Sequence, residues 1–506
     1  MGHKQMNNPL VIAIDSSTTA TKAVVIDTSG NVISMGRAEI ELLSPQMNHY
    51  EHDPREWWGS THQAITEAVS SLSESDRARI AAIGITHQRE SFALIDEDGN
   101  PIRPAILWLD SRAGEQIKEF GSDHIHELSG KPADTTPALY KLAWLKKHEP
   151  EALSQAFKLV DVHAYLSHAL TGKWVSAEGS IDTLNLFDIA ARTFSEELLE
   201  IAGLRPDQMV EFTRAGDVIG TLLPSLANEW RLSPEVVLVA GVGDGQAAGL
   251  GTAAIDPDVD YVNIGTSVVS GTHSNEYQFD RAYRTLIGGI PGTYVLEIVQ
   301  NSGSVLYNWF RKNLGDPALE GGLDPALEAE ASRIAPGSDA LLTLPHWNAG
   351  QSPDWDPFAT GAMVGFTTGH TRAHVFRSIV EGTAMLLAEN LNRVQEVTGR
   401  KLVELRATGG SARSPFIRQI FADATGLPIV MSEVDELSAH GAAMIAMAGV
   451  GAYPDVESAA RAMAHLGERT EPNPQAHEKY VTWMRLHSRI YPLLAELMTD
   501  MKNVED

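Results

Sequence analysis

The stretch VIAIDSSTTATKAVVID, Val11 to Asp27, decides the fold. Val11–Ile14 is an apolar strand that ends on Asp15. Ser16-Ser17-Thr18-Thr19 is a turn of small polar residues, and Ala23–Ile26 is a second strand. Thr28-Ser29-Gly30-Asn31 is turn chemistry, and Val32–Met35 continues the meander. The same pattern returns from Asp260 in YVNIGTSVVSGTHS, where the turn contains Gly265-Thr266-Ser267. A repeat at this distance is too long for a solenoid. It predicts two related halves, residues 1–252 and 253–506, the second beginning near 253–260.

Between these anchors, strands alternate with helices. Pro54–Leu72 has helical periodicity with Asp53 as its N-cap. Ile80–Thr86 and Phe92–Ile95 read as strands, and 114–170 is helix-rich. Val236–Val242 is an unbroken apolar strand, followed by a helix entered at GQAAGLGTAA. In the second half the pattern predicts strands at Tyr294–Val299, Ala340–Leu344 and Glu404–Thr408. It predicts helices at Gly303–Lys312 and His374–Val397, and another after Gly409-Gly410-Ser411. This is an α/β chain with no long Pro- or Ser-rich linker between its halves.

The 506 residues carry 39 Lys+Arg and 66 Asp+Glu, a net charge of −27 spread along the chain. That argues against nucleic-acid and anionic-membrane partners, which need clustered cations. There is no cysteine, so disulfides, thiolate nucleophiles and Cys-ligated metals are excluded. With the polar N-terminus MGHKQMNNPL showing no signal peptide, the expectation is a cytoplasmic enzyme. Leu437–Pro454, free of Asp, Glu, Lys and Arg, reads as a packed helix and not a membrane span. A homodimer is a possible assembly.

Several standard sites are missing. There is no GxxxxGK[ST] and no GxSxG. His370 and His374 have a metal-like i, i+4 spacing without a supporting Glu, and read as structural. Trp57, Trp58 and Trp144 read as packing aromatics. What remains is three small-residue turns, at Asp15–Thr19, Gly265–Ser267 and Gly409–Ser411, which can bind phosphate by backbone amides and hydroxyls without Lys or Arg. Each alone could be a plain hairpin turn. Asp15 and Asp244 end apolar strands, where open α/β sheets place ligand-contacting groups. On pattern alone Asp244 is equally an N-cap. His87-Gln88-Arg89-Glu90 crowds one strand end, either as a reader of hydroxyls or carboxylates or as a surface salt-bridged loop.

These segments together resemble the FGGY carbohydrate kinases, within the group sharing the actin and heat-shock chaperone ATPase fold. The resemblance spans Val11 to Gly449. It rests on VIAIDSSTTATKAVVID, THQRESFALID with PAILWLDSR, YKLAWLKKHEP, GVGDGQAAGLG, NIGTSVVSG, GAMVGFTTGHTRAHVFRSIVEG and ATGGSARSPFIRQIFADATGLPI. It implies two actin-like (ribonuclease H-like) lobes with ATP and sugar in the cleft, and γ-phosphoryl transfer to a sugar or polyol hydroxyl. Asp244 would be the general base. Asp15, with Asp244, would hold Mg²⁺. Thr18, Thr19, Gly265 and Thr266 would cradle the phosphates. Gly303, Gly410, Ser411 and Arg413 would line the adenine and ribose end. Gln88, Arg89, Glu90, Trp108, Asp110, Asp244 and Gln246 would face the sugar. Ser17 stands where the family has glycine, so that turn must tolerate a side chain.

The substrate signals are mixed. Gln88-Arg89-Glu90 is like the glycerol kinase branch, but Thr136 stands where that branch has Tyr, and Asp244-Gly245-Gln246 departs from its Asp-Gln-Gln. Gly265-Thr266-Ser267 is more like xylulokinases, whose Met-His pair is replaced by Gln88-Arg89. A pentulose such as xylulose is the first expectation; glycerol, another polyol, a sugar acid or another ketose are the alternatives. A chaperone- or actin-like ATPase and a catalytically dead sugar sensor are the readings from other classes.

Overall fold

Alternation along the first strand sets both faces of the first sheet. In Leu10–Ser16 (β1), Leu10, Ile12 and Ile14 enter one apolar core, while Val11 and Ala13 enter another. Successive side chains of a strand point to opposite faces, and both faces here are covered. This computed structural model describes residues 8–316, 324–356 and 359–505. Residues 1–7, most of the polar N-terminal stretch, lie outside it.

β1 is joined by Ala20–Ile26 (β2), Val32–Glu39 (β3), Ile80–His87 (β4), Val218–Thr221 (β5) and Val237–Gly243 (β6) in a six-stranded sheet ordered β5-β6-β4-β1-β2-β3. The second sheet has seven strands: Val259–Ile264 (β7), Val268–Ser274 (β8), Arg284–Ile287 (β9), Tyr294–Gln300 (β10), Glu404–Thr408 (β11), Ile429–Ser432 (β12) and Leu466–Thr470 (β13). Their order is β9-β10-β8-β7-β11-β12-β13. The two sheets share one plan. The opening strand, β1 or β7, is antiparallel to the next strand on one side. On the other side it is parallel to a strand that returns after a helix, β4 or β11. An antiparallel strand, β5 or β13, closes that end. The repeated sequence pattern is therefore a repeated topology, and the architecture is the expected two-lobed α/β fold.

Pro54–Ser70 (α1) covers one face of the first sheet, its N-terminus capped by Asp53, whose side chain accepts from the Arg55 N–H. The opposite face is covered from far along the chain. Leu437–Gly449 (the later-numbered α6) packs on β1, β4 and β6, and its apolar residues join Val11, Ala13 and Val24 in one core. It also crosses Asp244–Gly251 (α2) backbone to backbone: a Cβ on Gly251 would stand 2.5 Å from the Leu437 carbonyl, and one on Gly441 would fall on that of Ala247. Ser304–Leu314 (α3), Arg372–Thr398 (α4) and Pro415–Thr425 (α5) serve the second sheet. Among the described residues no helix is long and apolar enough to cross a membrane.

Several boundaries differ from the sequence reading, among them β3, which runs to Glu39, and the helix from Leu437, which stops at Gly449. The strand expected from Ala340 is only Leu342–Leu344, because Gly337 to Ala340 all take positive φ and form a tight 3₁₀ turn. The helix expected from Gly303 starts at Ser304, with Gly303 as its non-helical N-cap.

Asp260, on β7, is completely buried. One oxygen accepts from the Thr272 hydroxyl at 2.8 Å and the other has no partner. Burial pushes its carboxyl up to about 7 from an ordinary 3.8. The folded state thus holds the proton more tightly than the unfolded chain, and the contribution of Asp260 to stability falls as pH rises from about 4 to about 7. Asp260→Asn is expected to be as stable as the parent at pH 4 and more stable by a few kcal/mol, about 4 at most, at pH 8. Urea unfolding at both pH values measures this; an equal difference at both would contradict it.

Candidate active site

Parallel pairing brings three strand ends to one edge. β1 ends at Asp15-Ser16, with Ser16 beside His87 of β4, and Gly243 of β6 lies on the other side of His87. Asp15, the Gln88–Glu90 turn and Asp244 thus meet at the carboxyl ends of three strands, where such sheets bind ligands.

The N-cap alternative for Asp244 is resolved by geometry. Gly243 occupies the cap position, and Asp244 is the first helical residue. Its Oδ1 accepts from the Gly245 N–H at 2.8 Å and lies 3.1 Å from Arg89 Nε. Among the described residues Oδ2 accepts no hydrogen bond, and the side chain is 38% exposed toward a cavity.

Arg89 continues into a buried charge network across the two halves. Its NH1 reaches Glu297 Oε2 at 2.8 Å. Glu297 also receives Arg284 at 2.8 and 2.7 Å, and Arg284 NH1 is 2.6 Å from Glu90 Oε1. Burial opposes the charge on Glu297, but Arg89 and then Arg284 outweigh it and hold the carboxyl at about 2. Burial likewise works against the Arg89 cation, and Glu297 followed by Asp244 outweighs it, so its pKa is raised. Gly243 and Gly245 make the room. A Cβ on Gly243 would collide with the Arg89 side chain, and one on Gly245 would stand 2.8 Å from Arg89 NH2 and 3.0 Å from Glu297 Oε2.

The cavity beside this network holds about 160 Å³. Arg89, Glu90, Trp108, Thr136 and Asp244 line it from the first half; Ser267, Arg284, Asn301 and Gln351 line it from the second, with Val269 and Val299 as its apolar wall. Two of its lining residues, Thr136 and Gln351, each carry a buried oxygen, Oγ1 and Oε1, without a hydrogen-bond partner. Buried polar groups are ordinarily satisfied, so both residues keep hydrogen-bonding capacity unused in this structure. Trp108 is no core aromatic: it is 38% exposed, and its Nε1 donates to Thr18 Oγ1 at 2.9 Å. The cavity wall is thereby bonded to the first small-residue turn. Behind the wall, buried Lys141 donates to the carbonyls of Leu107, Trp108 and Thr136, each at 2.9 Å. Burial pushes its ammonium down to about 8.

The second-half turns converge as well. The Ser304 N–H donates to the Gly265 carbonyl at 2.7 Å, and a Cβ on Gly303 would stand 2.5 Å from that oxygen and 2.9 Å from the Thr266 carbonyl. Gly409 takes φ +94°, and a Cβ there would stand 2.6 Å from the Ile264 carbonyl. Thr266 is exposed, and Gly410 faces open space. Arg413 lies at the exposed rim, paired with Asp435 at 2.6 Å. In the first turn Thr19 is exposed. Ser17 keeps negative φ, and its hydroxyl donates to the Ala20 carbonyl at 2.8 Å, so the missing glycine is tolerated.

Three expected sugar contacts lie outside the cavity lining. Gln88 is buried, donating to the Ser17 carbonyl and accepting from Ser91. Asp110 is wholly buried and spent on Arg112 and on the Tyr50 N–H. Gln246 donates to the Gly179 and Ile287 carbonyls and fastens the two halves. Gln246 Oε1 is buried without a partner. His370 and His374 bond to Asp339 and to their own turns, as structural residues do.

Asp15 has features suited to a divalent cation. Its Oδ1 is buried without a partner. Burial first, and the neighbouring Asp244 charge second, push its carboxyl up to about 7. A Mg²⁺ ion beside the two carboxylates would satisfy that oxygen and reverse the repulsion. Among the described residues no group of three or more His, Asp or Glu could hold a metal, but Mg²⁺ keeps waters and phosphate oxygens and needs few protein ligands.

Sequence reasoning missed Lys141, Arg284, Glu297, Asn301 and Gln351. For Glu297 a signal existed: one carboxylate inside the apolar run Tyr294–Val299.

Comparison with known proteins identifies the family of both halves. Residues 10–251 match the N-terminal domain of the FGGY family of carbohydrate kinases, and 261–450 match its C-terminal domain. A xylulose kinase of Lactococcus lactis is 26% identical, covering 98% of this chain and 99% of its own. A glycerol kinase of Bordetella parapertussis is 31% identical, covering 89% and 90%. The structure of gluconate kinase from Lactobacillus acidophilus superposes with a TM-score of 0.90 at 25% identity, covering 98% and 100%.

The Gly303 contact makes its own prediction. Gly303→Ala forces a methyl against the Gly265 and Thr266 carbonyls and is expected to cost about 1–3 kcal/mol. A lowered urea midpoint checks this; an unchanged midpoint means that the two turns do not touch.

Proposed function

This chain belongs to the FGGY family of carbohydrate kinases, and from that premise we propose that it transfers the γ-phosphoryl group of ATP to a hydroxyl of a small neutral sugar. A pentulose such as xylulose is the first choice, and glycerol or another short polyol the second. The carrying observation is the cavity between the halves. Its lining joins two residues that each carry an unpartnered buried oxygen, Thr136 and Gln351, with an Asp244 carboxylate whose Oδ2 is open.

In this reading the sugar hydroxyl gives its proton to Asp244 Oδ2 as its oxygen attacks the γ-phosphorus in line and ADP departs. Arg89 and the Gly245 N–H hold Oδ1 and fix the carboxylate's orientation. Thr18, Thr19, Gly265 and Thr266 would cradle the phosphates; Gly303, Gly410, Ser411 and Arg413 would border the nucleoside. Mg²⁺, held by Asp15 and Asp244, would neutralise charge on the β- and γ-phosphates. The division at 252/253 is retained as the lobe boundary, with α6 lent to the first sheet.

Charge counting favours a neutral substrate. In the network Arg89 and Arg284 face Glu90, Asp244 and Glu297, two cations against three anions. A sugar carboxylate would find no uncompensated guanidinium there, and burying a charge without a partner is costly.

Asp244→Ala is expected to lower sugar-dependent ADP release by at least about a hundredfold while nucleotide binding persists. Unchanged release would remove Asp244 from the role of base. ADP release at the same rate without any sugar would favour an ATPase. A second measurement is a coupled ADP-release screen over ketoses, polyols and sugar acids. Turnover of xylulose or glycerol well above gluconate is expected, and turnover of gluconate alone would overturn the neutral-sugar reading.

A further inference from the structure

Glu297 touches neither the small-residue turns nor, in the cavity lining, any space a ligand would fill. It is nevertheless fully buried and is the common acceptor of the two guanidiniums that do line the cavity. Its partners come from both halves: Arg89 from the turn after β4, Arg284 from β9. Arg284 and Glu297 are directly opposed in the β9–β10 ladder, so strand register fixes one pair. The other pair forms only when the halves stand together, because Arg89 and Glu297 belong to different halves, and the Arg89 side chain runs against Gly243 and Gly245. The Tyr261 hydroxyl, 3.4 Å from Oε2, closes the remaining side.

We propose that Glu297 is a positioning residue for sugar recognition, holding Arg89 and Arg284 at a fixed spacing across the cleft so that both meet the substrate's hydroxyls at once. Arg284 is then a specificity residue supplied by the second half, and Gly245 is the clearance that lets the set assemble. This rests on the sugar-kinase reading above. It adds that sugar affinity depends on a carboxylate the sugar never contacts. Without the Glu297 charge each guanidinium turns to its other carboxylate, Arg89 to Asp244 and Arg284 to Glu90. The spacing is lost while the phosphate turns stay intact.

The test separates the two substrates kinetically. Glu297→Gln keeps size and one acceptor oxygen but removes the charge. It is expected to raise the sugar KM about tenfold or more, with the ATP KM changed less than about twofold. Gly245→Ala should give the same split from the opposite side of the contact, and Arg284→Lys should give it while shrinking the preference for the sugar over its monodeoxy analogues. If Glu297→Gln is too unstable to assay, the other two variants are scored by the same ratio. Equal rises in both KM values, or a fall in kcat alone, would make Glu297 a general structural residue and overturn the proposal. Asp244→Ala is run alongside: full activity there would count against the base assignment and not against Glu297.

Discussion

A carboxylate with no exposed surface is tolerated in a protein only when positive charge and hydrogen bonds replace the water it has lost. Glu297 meets that condition with two guanidiniums, and much of the candidate site follows from it. Arg89 must reach across the boundary between the halves, so Gly243 and Gly245 must lack side chains. Arg284 must lie opposite Glu297, so β9 must pair with β10 in one register. Asp244, flanked by those glycines, is oriented by the same Arg89. One buried charge therefore links strand register, glycine placement and the orientation of the proposed base.

The cations nearest Asp15 and Asp244 are themselves paired with carboxylates, Lys22 with Glu436 and Arg89 with Glu297 and Asp244. With a net charge of −27, the protein offers backbone amides and hydroxyls in three converging turns. Trp108 ties the first of those turns to the sugar cavity through Thr18, and Lys141 holds the cavity wall through three carbonyls. Lys141 fixes backbone, whereas Trp108 holds the Thr18 hydroxyl itself.

Some of this was legible in the residues and some was not. The strand–turn–strand pattern at Val11–Asp27 and its return at Asp260 appear as two sheets with one plan, because period-two alternation and small-residue turns are local properties. Parallel strands ending in Asp15, in Arg89-Glu90 and in Asp244 had to share an edge once the fold class was read. Gln88, Asp110 and Gln246 look like ligand residues in sequence because polarity at a strand end is the only visible property. In the structure each bonds to a neighbouring backbone or ion pair, and Gln246 keeps one oxygen unpartnered.

The sequence by itself determined the two-lobed α/β architecture, the turns and the two strand-end carboxylates, since these depend on patterns within a few residues of one another. Only the tertiary structure decided which polar groups are left unsatisfied. It took the packing of residues 89, 284 and 297, far apart in the chain, to show a network with no spare guanidinium, and of 136 and 351 to show two buried oxygens without partners on residues that line one cavity. Satisfaction of a buried group is a property of its surroundings, and those surroundings exist only when both halves are in place.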